Sequence, residues 1–177
     1  MILLLNGAFG IGKTTVARAL VARLPRAVLY DPELIGIALQ RAARLAGRRV
    51  DDFQDLRVWR RLTIAGLWVV RRLWPNIVVP MAFSNAAYLQ EIRAGISRFE
   101  PRVLHFCLVA PVEVVHERLR RRGEDANPAA WQVRRASECC LAHESSDFAT
   151  HVAAVNRTPE DIAEELYRLI IPVPCHV

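Results

Sequence analysis

The sequence predicts an α/β protein: a five-stranded parallel sheet with helices on both faces. Three observations lead there. Short apolar runs alternate with segments of helical spacing along the whole chain. The runs are continuously apolar, as strands covered on both faces require. A glycine-rich turn also separates the first run from the first helix, at the end of the sheet where such folds bind ligands. At 177 residues, 53% hydrophobic and 24% charged, the chain is sized and composed for a single domain over 1–177. A disordered chain is excluded.

The elements follow in order. Residues 2–6 form a strand and 13–24 a helix. Residues 27–30 are the second strand, followed by a helix over 32–45. Residues 47–55 are polar and read as a loop. A helix over 56–73 leads into the third strand, 76–81, and a helix over 86–99 into the fourth, 103–109. Residues 112–122 are helical, 123–128 break the pattern, and 129–143 resume it, so a small lid is expected at about 120–135. A weak fifth strand, 151–155, precedes a closing helix over 159–169 with Pro159 in its first turn.

Net charge is +6, which favours an anionic ligand. The charge is concentrated. Residues 118–135 carry six arginines against Glu124 and Asp125, while 136–177 carry two arginines against seven acids. A nucleic-acid stripe would recruit many elements, so no nucleic-acid partner is expected. Cys107, Cys139, Cys140 and Cys175 lack CxxC spacing and read as reduced thiols of a cytoplasmic protein. The five histidines are scattered and read as solvated or packed. The apolar stretch 62–70, with arginines at both ends, is too short to span a bilayer. It suits a helix packed along one side, or one in peripheral contact with an anionic membrane surface.

All but one of the 24 basic residues are arginine; the exception is Lys13. It falls in Gly7, Ala8, Phe9, Gly10, Ile11, Gly12, Lys13, Thr14, which matches G-x-x-x-x-G-K-[ST] between a strand and a helix. The glycines allow close backbone approach. The loop amides and the helix N-terminus then cradle phosphates. Lys13 supplies a compact charge to the β- and γ-phosphates of ATP. Thr14 is the expected Mg²⁺ ligand. Thr15 completes the cofactor-binding set.

Asp31, just past the second strand, is the candidate base toward an acceptor hydroxyl or a contact to Mg²⁺-bound water, and also a helix cap before Pro32. The third strand ends without an acid, so the magnesium-binding carboxylate that many nucleotide-hydrolysing enzymes carry there is missing. That favours a small-molecule kinase over a hydrolysing motor. Gln54 and the acids at 51, 52 and 55 either bind acceptor hydroxyls or solvate a loop. Trp59 either stacks on an acceptor ring or packs in the core. Ser84 and Asn85 bind the acceptor or cap the next helix. Arg118 and Arg122, one turn apart, are the candidate catalytic lid arginines, with Arg135 a weaker one. Asn156 follows the fifth strand, where an adenine pocket is expected.

Together NGAFGIGKTT at 6–15, YDPELIG at 30–36, DDFQDLRVWR at 51–60, VVPMAF at 78–83 and RLRRR at 118–122 resemble the tunicamycin-resistance ATP-binding proteins. The layout is more distantly similar to chloramphenicol phosphotransferase, gluconate kinase and shikimate kinase. The resemblance implies a P-loop kinase-like three-layer fold with strand order 2-3-1-4-5 and a lid. It also implies ATP as phosphoryl donor and tunicamycin as the small-molecule partner, inactivated by phosphorylation of a hydroxyl or by sequestration. Lys13 and Thr14 carry over directly, Asp31 matches the acid after strand two, and Arg118 and Arg122 match the lid arginines. A kinase for a housekeeping metabolite is the remaining alternative.

Overall fold

A computed structural model describes residues 1–121, 131–148 and 150–171. Strand β1 (Ile2–Gly7) is central in a five-stranded parallel sheet. It pairs with β3 (Asn76–Met81) on one side and β4 (Val103–Val109) on the other. β2 (Ala27–Leu29) and β5 (His151–Ala153) form the edges, giving the order β2-β3-β1-β4-β5. Every residue of β1 is buried, which is why its apolar run is unbroken. Its side chains still alternate between two cores. Leu3 and Leu5 enter one, with Leu20, Val78 and Leu166. Ile2 and Leu4 enter the other, with Trp59, Leu67, Val79 and Ile92. Each such side chain contributes about 1.5–3 kcal/mol by leaving water.

The helices are α1 (Lys13–Arg23), α2 (Glu33–Leu45), α3 (Arg57–Leu73), α4 (Ala86–Ser97), α5 (Val112–Arg121), α6 (Trp131–Ala142) and α7 (Pro159–Ile170). α1 and α7 pack together over the first core, and α3 and α4 over the second. Local chemistry sets several starts. Asn85 caps α4, its Oδ1 accepting from the amides of Ala87 and Tyr88. Thr158 and Asp161 form a reciprocal capping box on α7, with Pro159 in the first turn.

Expected boundaries hold to within a few residues, with one substantive difference. The stretch expected as a polar loop at 47–55 ends in a 3-10 turn, Phe53–Asp55, which buries Phe53 and Gln54. Asp52 starts that turn by accepting from the Gln54 amide at 2.8 Å. Arg122, Cys175 and the expected break at 123–128 lie outside the described residues.

Candidate active site

The turn after β1 has the geometry its sequence requires. Gly10 and Gly12 adopt positive φ of 81° and 104°, strained for any side chain. A Cβ on Gly10 would lie 2.7 Å from Leu119 of α5, so the loop packs against that helix with no room to spare. A Cβ on Gly12 would meet no atom within 4 Å, so that glycine borders open space. That space is a small pocket of about 170 Å³, lined by Phe9, Gly10, Gly12, Lys13, Thr14, Thr15 and Glu33. The N-terminus of α1 opens into it. Lys13 is buried, and its Nζ donates to the Ala8 carbonyl at 2.9 Å, curling back along the loop it would neutralise. Its ammonium also sits 5.4 Å from the centre of the Phe9 ring. These features fit a nucleotide's phosphates: a glycine-rich turn, a helix N-terminus and one compact cation.

Glu33 was not singled out by the sequence, yet it faces the phosphate pocket from the first turn of α2. Burial raises its pKa above the ordinary carboxylate range, against the opposing pull of Lys13; Asp31 and Asp52 add to the rise. Asp31 stands at the end of β2, and its Oδ1 accepts from the Glu33 amide at 3.0 Å. It therefore positions the start of α2, the capping role expected of it, and lines neither the phosphate pocket nor the cleft beside it. The signal for Glu33 was its position two residues after Asp31 in Asp-Pro-Glu.

Glu33 also lines a second, larger cleft of about 770 Å³. One wall of this cleft is aromatic: Phe9, Phe53 and Trp131, with Phe9 and Trp131 meeting edge to face at 5.3 Å between centroids. Another wall carries Arg44, Arg48 and Arg49 with Asp51. Gln40 fastens this loop, donating to the carbonyls of Val50 and Asp51. The cleft has the size and mixed lining of a small-molecule site. The two spaces thus meet at Phe9 and Glu33.

Two expected acceptor contacts fall elsewhere. Trp59 is 1% exposed, stacked among Phe53 and Phe83, with its indole N–H donating to the Pro32 carbonyl at 2.9 Å. It has no face to offer a ring; its helix turns it toward the sheet, and Trp131 lines the cleft instead. Gln54 is 5% exposed, and its amide donates to the Ala82 carbonyl at 3.1 Å. It braces the end of β3 because the 3-10 turn folds it inward. Ser84 lines neither pocket; its Oγ accepts from Arg135 at 3.0 Å. Arg135 also pairs with Asp52 at 2.9 Å and Glu138 at 2.6 Å, joining α6 to the 3-10 turn.

Arg118 is on the nucleotide side, but its guanidinium is occupied with backbone. It donates to the carbonyls of Ile11 at 2.8 Å and Ala154 at 2.7 Å, clamping the phosphate loop to the end of β5. With Ala154, Arg157, Pro159 and loop residues 10–12 it lines a pocket of about 250 Å³ on the far side of the loop's glycines. Asn156 itself is exposed, in a left-handed turn at φ 52°, and shapes the connection rather than the wall.

Fold and site together define a P-loop kinase-like protein. A family model described as an AAA domain matches residues 2–138. The structure of the tunicamycin resistance protein of Deinococcus radiodurans is 30% identical, with a TM-score of 0.77, over 96% of this chain and 94% of that one. The chain belongs to the AAA domain family and to the family of tunicamycin-resistance proteins. A sugar kinase from Janibacter, at 19% identity and TM-score 0.65, covers 97% of this chain and 95% of its own. Shikimate kinase from Acinetobacter baumannii, at 19% and 0.59, covers 96% and 92%. These two show the shared fold. No curated protein matches the chain.

Proposed function

We propose that this protein is an ATP-dependent phosphotransferase that modifies a hydroxyl of tunicamycin or a related nucleoside or sugar compound, and so confers resistance to it. The observation that carries this reading is the position of Glu33. A carboxylate of raised pKa stands where the phosphate pocket opens into an aromatic-walled cleft. A protein that only sequestered its ligand would need no base at that seam.

In the proposed step the acceptor O–H bond breaks and its proton passes to the Glu33 carboxylate. The acceptor oxygen forms a bond to the γ-phosphorus, the bridging P–O bond to the β-phosphate breaks, and ADP leaves. Lys13 neutralises charge gathering on the transferred group. Phe9 and Trp131 orient a ring of the acceptor, Asp31 holds Glu33 through the amide of that residue, and Arg118 fixes the loop. Mg²⁺, when bound, would be held by the Thr14 hydroxyl, which lines the phosphate pocket, and would supply positive charge to the phosphates. Among the described residues no cluster of three or more His, Cys, Asp or Glu is placed to hold a metal.

The test is to incubate the protein with Mg-ATP and tunicamycin and weigh the drug by mass spectrometry. A gain of one phosphoryl group, absent with Glu33→Gln, is the expected result. Unmodified drug, with cellular resistance retained by the Glu33→Gln variant, would mean sequestration. ADP release with gluconate, shikimate or a plain nucleoside, but not with the drug, would mean a metabolite kinase.

A further inference from the structure

A further cleft, about 910 Å³, opens where β4 and β5 end, between the first turn of α5 and the last turns of α6. It has the volume of a small-molecule site and lies at the end of the sheet where such folds bind ligands. It shares no lining residue with the phosphate pocket or the aromatic-walled cleft, so the proposed transfer makes no use of it. Val109, Pro111, Val112, Leu141 and Val155 give it apolar walls. Its charges are of one sign. Glu113 enters from the first turn of α5 and Glu144 from just past α6, and no lysine or arginine lines it among the described residues. Both carboxylates are exposed, and among the described residues neither forms an ion pair. They converge on the Cys140 thiol: burial is the main cause that raises its pKa, and Glu113 and Glu144 both add to the rise. The carboxyl end of α6 contributes its negative dipole end beside Glu144, with no basic residue in the last turn to offset it. One arginine touches the wall. Arg157 donates to the Ala153 carbonyl at 3.3 Å, but it is paired with Glu165 and lines the pocket beside the phosphate loop instead.

We propose that this cleft binds a small organic cation, an ammonium group carried on an apolar body. Charge complementarity chooses the occupant. In a chain of net charge +6 this cleft is locally negative, so it repels the anions that the phosphate pocket attracts. Its neutral polar groups offer lone pairs as well. Ser137 donates its one hydroxyl proton to the Val133 carbonyl at 3.1 Å, so His116 Nε2, 2.9 Å from the same oxygen, is the donor in that pair. The His116 ring then keeps its acceptor lone pair at Nδ1. Two carboxylates and an imidazole acceptor suit a ligand head that is charged and donates, and the apolar walls suit its body. A bare metal ion would leave those walls unused, and among the described residues no three His, Cys, Asp or Glu are placed to hold one.

The full chain is titrated at pH 8 with three probes of similar size, hexylammonium, 1-hexanol and hexanoate, and binding is followed by NMR shifts of the protein amides. Saturable binding of hexylammonium is expected, with hexanol about tenfold weaker and hexanoate weaker still. Glu113→Gln with Glu144→Gln, both exposed, should bring hexylammonium down to the affinity of hexanol while thermal stability stays unchanged. Glu113→Lys with Glu144→Lys should reverse the order in favour of hexanoate. Leu141, 72% exposed, can be changed without disturbing the core, and Leu141→Ser should weaken all three probes. No saturable binding, equal binding of hexylammonium and hexanoate, or an order unmoved by the Gln and Lys pairs would overturn the proposal. So would self-association of the free chain that the Gln pair abolishes, which would assign the cleft to a second copy.

Discussion

At the residue scale, the proposed chemistry rests on two groups of opposite charge that face one pocket. Lys13 donates to Ala8 within its own loop, so its reach and direction are set by a backbone turn only a few ångströms across. A guanidinium is wider and planar and cannot follow that path. Lys13→Arg should therefore cost at least about a hundredfold in kcat/KM despite keeping the charge. Turnover near normal in a coupled ADP assay would show that charge alone suffices. Glu33 makes the complementary prediction. In the proposed role of base it would work only when ionised, and burial raises its pKa. Activity should therefore rise with pH through a midpoint above the ordinary carboxylate range and fall away below it. Glu33→Gln should lower kcat/KM by about 10²–10⁴-fold and remove that acid limb. An unchanged limb in a pH profile of the variant would assign it to another group, with Asp31 the next to test.

Among the elements, α2 and the 3-10 turn Phe53–Asp55 show how packing builds the cleft. A Cβ on Gly36 would lie 2.4–2.7 Å from three atoms of the Phe53 ring. A rigid ring cannot yield as a flexible chain end does. Gly36→Ala gains about 1 kcal/mol of helix propensity, but the clash should outweigh it, leaving a net loss of about 1–3 kcal/mol. Because Phe53 lines the cleft, KM for the acceptor should rise as well. Urea denaturation and acceptor titration check both, and a stabilised variant with unchanged KM would refute the argument. This contact also marks where reading the sequence stopped. Period and punctuation gave the strands and helices to within a few residues, since each is a local property. The phosphate loop was legible for the same reason. Burial of residues 53–54 was not, because it depends on a glycine 17 positions earlier in another helix. Nor was the contrast between two tryptophans. Trp59 and Trp131 both sit on amphipathic helices, and only the sheet's position turns one inward and leaves the other in the cleft.

Across the whole molecule, His143 joins elements far apart in sequence. Its Nε2–H on the neutral ring donates to the Phe83 carbonyl at 2.6 Å, just past β3. Asn6, at the end of β1, pairs with the same residue, its Oδ1 accepting from the Phe83 amide and its Nδ2 donating to the carbonyl. α6, β1 and β3 are thus fastened behind the phosphate loop at one buried imidazole, 2% exposed. Burial is the main cause that lowers its pKa from 6.5 to about 4; Lys13 and His151 add to it, and the Phe83 carbonyl opposes it. The unfolded chain therefore binds this proton first as pH falls. Between about 6.5 and about 4 the unfolded state holds more protons than the folded one, so stability drops by about 1.4 kcal/mol per unit, up to about 3 kcal/mol. Glu33 and Asp52 act with the opposite sign, because their raised values let the folded state take up protons more readily. The net slope of the native protein is consequently shallower than the histidine's own. His143→Gln keeps a donor for the Phe83 carbonyl and does not titrate. Urea midpoints measured from neutral pH to pH 4 should fall more steeply for the native chain than for this variant. Parallel curves would show that the imidazole is already charged in the fold, or that its protonation is matched by a change elsewhere.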